Sequence, residues 1–194
     1  MQTFMDRLAR GFALLGGTTL SLLIFLICVS VLGRSMNGFL HSDVAQAVVP
    51  GLANWLLGLG TGPINGDFEI VEAGMAVAIF AFFPICQLRG AHATVDIFTS
   101  ALPARANSVL RLIIDIVFAA VLVLLAWYLL LGGLSKLRSG QTTLLLQFPV
   151  WWSYAACIIP LWVAALVGIY VAAVRAIEVF SGRSILLMDD GADH

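Results

Sequence analysis

The sequence predicts an all-α membrane protein with four transmembrane helices, on the strength of its composition and of four long apolar stretches. Hydrophobic residues make up 61% of the 194 residues and charged residues only 11%, whereas soluble domains carry about 25% charged residues. A chain of this composition cannot build a water-soluble surface, so lipid must be the solvent for most of it. We therefore expect one helical bundle in a membrane.

The four apolar stretches cover residues 12–32, 70–88, 112–134 and 150–174. Each is close to the ~20 residues that a helix needs to cross a ~30 Å hydrocarbon core. Inside lipid the backbone N–H and C=O groups must be satisfied within the segment, and the stretches lack the alternation of barrel strands. They are predicted to be helices of a single membrane domain that covers residues 1–194.

The distribution of Lys and Arg predicts the orientation, because positively charged flanks are retained on the cytoplasmic side. Seven of these residues fall on one side of the predicted spans: Arg7, Arg10, Arg89, Arg105, Arg111, Arg175 and Arg183. Three fall on the other side: Arg34, Lys136 and Arg138. This asymmetry places both termini in the cytoplasm.

The connection 35–67 is long for a link between two helices, and we interpret it as an insertion on the non-cytoplasmic side. Five of its apolar residues share one helical face: Val48, Leu52, Trp55, Leu56 and Leu59. Pro50 and Gly51 make a fifth span unfavourable, so the pattern predicts a helix lying at the membrane interface. Packing of an irregular loop is the alternative.

The connection between the second and third spans also has helical spacing. Val95, Phe98 and Leu102 recur on one face, and Pro103 then ends the pattern. This predicts a short cytoplasmic amphipathic helix, whose apolar stripe lies in the headgroup region or against a partner.

The sequence lacks the residue patterns that several classes of function require. The histidines all lie outside the predicted spans, and no metal-ligand spacing, nucleophile elbow or phosphate-binding loop is present in the sequence. We therefore expect no enzyme activity, no metal and no cofactor. A net charge of −1 without a basic cluster argues against nucleic-acid binding. The centres of the spans carry no charge, which argues against a complete carrier.

A few polar residues are candidates for structural or partner contacts. Arg34 closes the first span, and Glu69 and Glu72 open the second, so all three lie near the same interface. A salt bridge from Arg34 to Glu69 or Glu72 is one prediction, and independent contact of each group with headgroups and water is the other. Asp115 follows Arg111 by four residues, which predicts an ion pair within one helix.

Small residues form two stripes that predict close helix packing. Ala164, Gly168, Ala172 and Ala176 recur every four residues in the fourth span, and Gly74, Ala78 and Ala81 form a shorter stripe in the second. Packing within the chain is the first interpretation, and a surface for another subunit is the second.

These features together resemble the small membrane subunit of tripartite ATP-independent periplasmic (TRAP) transporters, the DctQ-like family. The resemblance rests on FEIVE at 68–72, GAHATVD at 90–96, LP at 102–103, Trp127, GQTT at 140–143 and FPVWWSY at 148–154. His92 and Asp96 lie in the second of these motifs and Trp151 in the last, and we count them as candidate interface residues.

The resemblance implies a non-catalytic subunit in the inner membrane of a bacterium. In that family the small subunit pairs with a large multi-span permease that carries substrate and sodium, and a periplasmic protein delivers an organic acid. The implied partners of this chain are those two proteins and membrane lipids. The 35–67 insertion is longer than the family pattern, and nothing of the large subunit follows residue 174, so a separate large chain is expected. An accessory or anchor subunit of a membrane redox or assembly complex is the alternative.

Overall fold

The computed structural model describes residues 2–42, 47–48, 50–58, 60, 62–90 and 104–181. These residues form five helices: α1 Gln2–Leu40, α2 Pro50–Gly58, α3 Asp67–Arg89, α4 Ala104–Ser139 and α5 Trp151–Ser181. The four helices other than α2 are long and apolar enough to cross a membrane. The predicted all-α fold with four transmembrane helices is confirmed.

The helices are longer than the apolar stretches that predict them. At ~1.5 Å per residue, the 39 residues of α1 span about 58 Å, well beyond a ~30 Å hydrocarbon core. Because α1 continues from Ser35 to Leu40, the first six residues of the predicted 35–67 insertion are helical. No proline interrupts this part of the chain, and α2 packs against it. The division into a single membrane domain stays a prediction.

The predicted helix within the insertion is present as α2. Pro50 occupies its first position, where the missing N–H costs nothing, and Ala53 is buried. Leu52 and Leu56 share a cavity of about 390 Å³ with the end of α1, whereas Trp55 remains 62% exposed. The location of α2 at a membrane surface stays a prediction. The amphipathic helix predicted around residues 95–102 lies outside the described residues.

The four long helices pack in the spatial order α1, α3, α5, α4. Within the described ranges, the extensive contacts between long helices join neighbours in this row, so α1 and α4 stand at its two ends. In the most apolar 18-residue window of each helix, 44% of the residues of α5 are buried but only 11% of those of α1. In the described part of the chain, the expected bundle is therefore an open row, and α5 is the most buried of its four helices.

Small side chains fill the contact between α1 and α3. Ala78 and Ala81 are almost completely buried, and Gly74 lies beneath the side chain of Leu23. The stripe predicted on the second span therefore packs within the chain, in line with the first of its two interpretations.

The contact between α4 and α5 contains the hydrophobic core. Its buried residues are Leu122, Ala126, Leu161, Ala164 and Ala165, with Phe80 and Phe83 of α3 packed against them. Gly168 continues this contact, because a Cβ there would lie 3.4 Å from the Cα of Ala119. Ala172 is half-buried. Ala164 and Gly168 thus serve packing within the chain.

Candidate functional site

Charged side chains gather at the two ends of the helix row. We call the end that carries Arg34, Asp67 and residues 140–150 the Arg34 end, and the opposite end, where α5 carries Arg175, the Arg175 end. Residues 11–33, 73–88, 116–135 and 151–174, which lie between these ends, include no Asp, Glu, Lys or Arg. Both ends contain contacts that join different helices.

At the Arg34 end, Asp67 connects α1 to α3. Its Oδ2 lies 3.7 Å from Nη2 of Arg34 and accepts a 2.5 Å hydrogen bond from the Ser30 hydroxyl, while its Oδ1 accepts a 2.8 Å bond from the N–H of Phe68. A carboxylate in the first turn of a helix is also favoured by the helix dipole. The predicted pairing of Arg34 with Glu69 or Glu72 is therefore wrong, because its partner is Asp67.

The angular positions of Asp67 and Glu69 around the axis of α3 explain which of these carboxylates contacts Arg34. Successive helical residues differ by ~100° around the axis, so Asp67 and Glu69 point in nearly opposite directions, ~200° apart. Because α3 lies between α1 and α5, Asp67 faces Arg34 of α1 and Glu69 faces the α5 side.

Glu69 accepts hydrogen bonds from the loop that connects α4 to α5. Its side chain is buried, at 6% exposure, and its two carboxylate oxygens accept backbone N–H groups of Leu145 at 2.7 Å and Leu146 at 3.0 Å. Hydrogen bonds to an ionised acceptor are stronger than neutral ones. One buried carboxylate thus fixes a loop that is 76 residues away in the sequence.

The loop itself is a compact turn. Thr143 donates its N–H to the carbonyl of Phe148, and Val150 donates to that of Gln141, each at 3.0 Å. Gly66 lies directly under the loop with φ +79°, and a Cβ there would lie 2.5 Å from Cγ of Leu146. Only glycine suits both the left-handed backbone and this contact. The loop presents Leu144, which is 83% exposed.

A groove opens beside this loop between α3 and α4, with α5 as its floor. Its cavity measures about 520 Å³. The lining includes Glu72 and Phe80 of α3, Lys136 of α4, Leu144 of the loop and Tyr154 of α5. Lys136 donates a 2.6 Å hydrogen bond from Nζ to Oε1 of Gln141. We call this feature the α3–α4 groove.

At the Arg175 end, an ion pair joins α4 to α5. The guanidinium Nε of Arg175 contacts Oδ2 of Asp115, and the two side chains are only 7% and 17% exposed. Arg111 is exposed to solvent instead. The predicted pair of Asp115 with Arg111 is wrong, because α5 brings Arg175 to the buried face of α4.

The remaining candidates fall in different places. Trp151 is half-buried at the start of α5, and its ring meets that of Trp152 edge-on, with centroids 6.2 Å apart. His92 and Asp96 lie outside the described residues. The sequence did not single out Ser30, Asp67 or the loop amides as partners. Asp67 stands only two residues before Glu69, so its position at this end was a signal that could have been used.

Within the described part of the chain, no group of three or more His, Cys, Asp or Glu side chains could hold a metal ion. The polar contacts found here fasten helices and a loop to one another. The fold and the site together define a multi-pass helical membrane protein with its ionised groups at the two helix ends.

The family comparison identifies the kind of membrane protein. The family model described as "Tripartite ATP-independent periplasmic transporters, DctQ component" matches residues 23–179, which is most of the chain. The chain therefore belongs to the DctQ component family, and the resemblance seen in the sequence is confirmed. This is a family of transporter subunits and not of enzymes. No curated protein and no solved structure matches the chain.

Proposed function

We propose that this chain is the small, non-catalytic subunit that supports the large permease subunit of a TRAP transporter in a bacterial inner membrane. The large subunit would carry the substrate together with an ion, which we propose to be sodium. A periplasmic binding protein would deliver an organic acid to it. Family membership supports the transport role.

The observation that carries this proposal is the open helix row. Among the described residues, the extensive contacts between long helices join neighbours in the row, so these residues leave broad apolar faces of α1 and α4 uncovered. Phe25 of α1 and Leu124 of α4, for example, are 69% and 56% exposed. Such faces suit lateral packing against a second helical membrane protein.

The position of the charges supports a scaffold more than a carrier. Intramembrane sites for ions and polar substrates use ionisable groups or broken helices near mid-membrane. Here, the described ion pairs lie at the row's ends, and those of Asp67 and Asp115 link neighbouring helices. Substrate selectivity would then belong to the large subunit.

Deletion tests the proposal directly. Loss of this chain should abolish uptake of the organic acid, and expression from a plasmid should restore it. Alanine variants at Glu69, Glu72 and His92 should lower uptake in proportion to the amount of large subunit that copurifies, with substrate preference unchanged. A variant that assembles fully but switches substrate preference would contradict the scaffold role.

The proposed orientation places both termini in the cytoplasm, following the seven-to-three distribution of Lys and Arg. A membrane-impermeant thiol reagent, added from outside, should label a cysteine introduced at Ser42 or Ser139 and spare one at Ser181. The background for this test replaces the native cysteines Cys28, Cys86 and Cys157. Labelling at Ser181 without labelling at Ser42 would reverse the orientation.

A further inference from the structure

The α3–α4 groove changes from polar to apolar along its length. Glu72 and Lys136 line it near the Arg34 end, and Ala76, Phe80 and Leu129 line it further along the helices. From Glu72 to Phe80 the helix advances by eight residues, or ~12 Å. The small side chain of Ala76 leaves space beside the helix, so the apolar part can accept a hydrocarbon chain.

The two charged side chains face the same cavity without neutralising each other. Lys136 uses one donor for Gln141, which leaves two of its three ammonium donors. Among the described residues, Glu72 lies in no ion pair within 4.0 Å. Ionised groups beside lipid are costly unless opposite charge or water satisfies them.

An occupant that matches this lining has one charge of each sign at one end and a hydrocarbon chain at the other. The geometry points to a zwitterionic phospholipid of the phosphatidylethanolamine type as the ligand of the α3–α4 groove. Its phosphate meets Lys136, its ammonium donates to Glu72, and one acyl chain lies along Ala76 and Phe80. The lipid fills the gap that the row leaves between α3 and α4.

Glu69 is a positioning residue for this site. By accepting the N–H groups of Leu145 and Leu146, it fixes the loop whose Leu144 forms one wall of the groove. The site needs only this chain and lipid, so the inference stands independently of the proposed transport function.

Native mass spectrometry of the delipidated full-length chain in detergent tests the site. With phosphatidylethanolamine or phosphatidylglycerol added separately, the chain should retain one phosphatidylethanolamine after other lipid is stripped. Lys136→Met, which removes the phosphate contact, should lower retention of both lipids about fivefold, as expected for one partly exposed charge contact. Glu72→Gln should lower retention of phosphatidylethanolamine by a similar factor and leave phosphatidylglycerol unchanged.

Ala76→Trp should block the apolar part of the groove and abolish retention, while circular dichroism still reports the wild-type helix content. Two matched controls lie outside the lining. Arg138→Met removes an exposed cation two residues from Lys136, and Ala120→Trp adds the same bulk to the exposed face of α4. Both should behave like the wild type.

Two outcomes would overturn the inference. Wild-type retention in both Lys136→Met and Ala76→Trp would mean that bound lipid is distributed over the whole apolar surface. If the same variants keep lipid but lose the copurifying large subunit, the groove is a protein contact instead.

Discussion

The side chain of Arg34 is 67% exposed, and its guanidinium lies 3.7 Å from Asp67, whereas the side chain of Arg175 is 7% exposed and its guanidinium is in direct contact with Asp115. Both pairs connect neighbouring helices of the row. Asp67 has two further hydrogen-bond donors, the Ser30 hydroxyl and the N–H of Phe68. Water can also reach Arg34, so neither partner there depends strongly on the other.

The comparison teaches that burial decides how much each partner needs the other. An exposed pair gains little because water and salt screen the two charges and the long side chains lose freedom. A buried pair has already lost its hydration, so removing one partner leaves the other without compensation. We therefore expect the α4–α5 contact to respond strongly to charge removal and the α1–α3 contact to respond weakly.

The largest effect is expected at the Arg175 end. Arg175→Met or Asp115→Asn should lower the free energy of unfolding by about 3–5 kcal/mol, because each breaks a buried ion pair between α4 and α5. Unfolding of the purified chain in mixed micelles, followed by circular dichroism, measures this loss. Arg111→Met, at an exposed position of the same helix, is the control and should change little.

The double variant Asp115→Leu with Arg175→Met sharpens this test. An apolar pair of similar volume can replace a buried ion pair without loss, so the double variant should regain most of the stability that either single variant loses. A double variant that is no more stable than the worse single variant would show that the charges are not mutually compensating.

An intermediate and local effect is expected at Glu69. In Glu69→Gln only one side-chain oxygen remains to accept a hydrogen bond, so the amide N–H of Leu145 or Leu146 loses its acceptor. Hydrogen exchange of the 143–146 segment should become about fivefold faster or more, the ratio expected for one lost hydrogen bond. Glu72→Gln is the control, since Glu72 holds no loop amide in the described structure. Equal exchange in both variants would contradict the role of Glu69 as the loop anchor.

The sequence predicted the helices well because membrane spans depend on composition and length, which are local properties. Each long apolar stretch corresponds to a helix, and the apolar face predicted over residues 48–59 corresponds to α2, Pro50–Gly58. The partners of the charged residues depend instead on helix rotation. Glu69 or Glu72 was expected to meet Arg34, but α3 begins at Asp67, and the ~200° between Asp67 and Glu69 turns Glu69 toward the loop.

The spatial order of the helices could not be predicted from the sequence either. Asp115 has Arg111 one turn away in sequence, whereas Arg175 is 60 residues distant and reaches it only because α5 packs antiparallel to α4. Stripes of small residues on two spans, such as Gly74 and Gly168, showed that close contacts exist. They did not show which helix each stripe meets, so a closed bundle and an open row were compatible with the same sequence.

The smallest effect is expected at the Arg34 end, where the ion pair is exposed. Arg34→Ala and Asp67→Ala should be nearly additive in a double-mutant cycle, with a coupling of less than about fivefold in the unfolding equilibrium constant, as is usual for exposed pairs. Asp67→Ala alone should cost more than Arg34→Ala, because it also removes the acceptor of the Ser30 hydroxyl. Unfolding in the same mixed micelles measures both. The cycle of Arg34→Ala with Glu72→Ala is the control and should be strictly additive. A coupling at Arg34 and Asp67 as large as that at Asp115 and Arg175 would mean that burial does not separate the two ends.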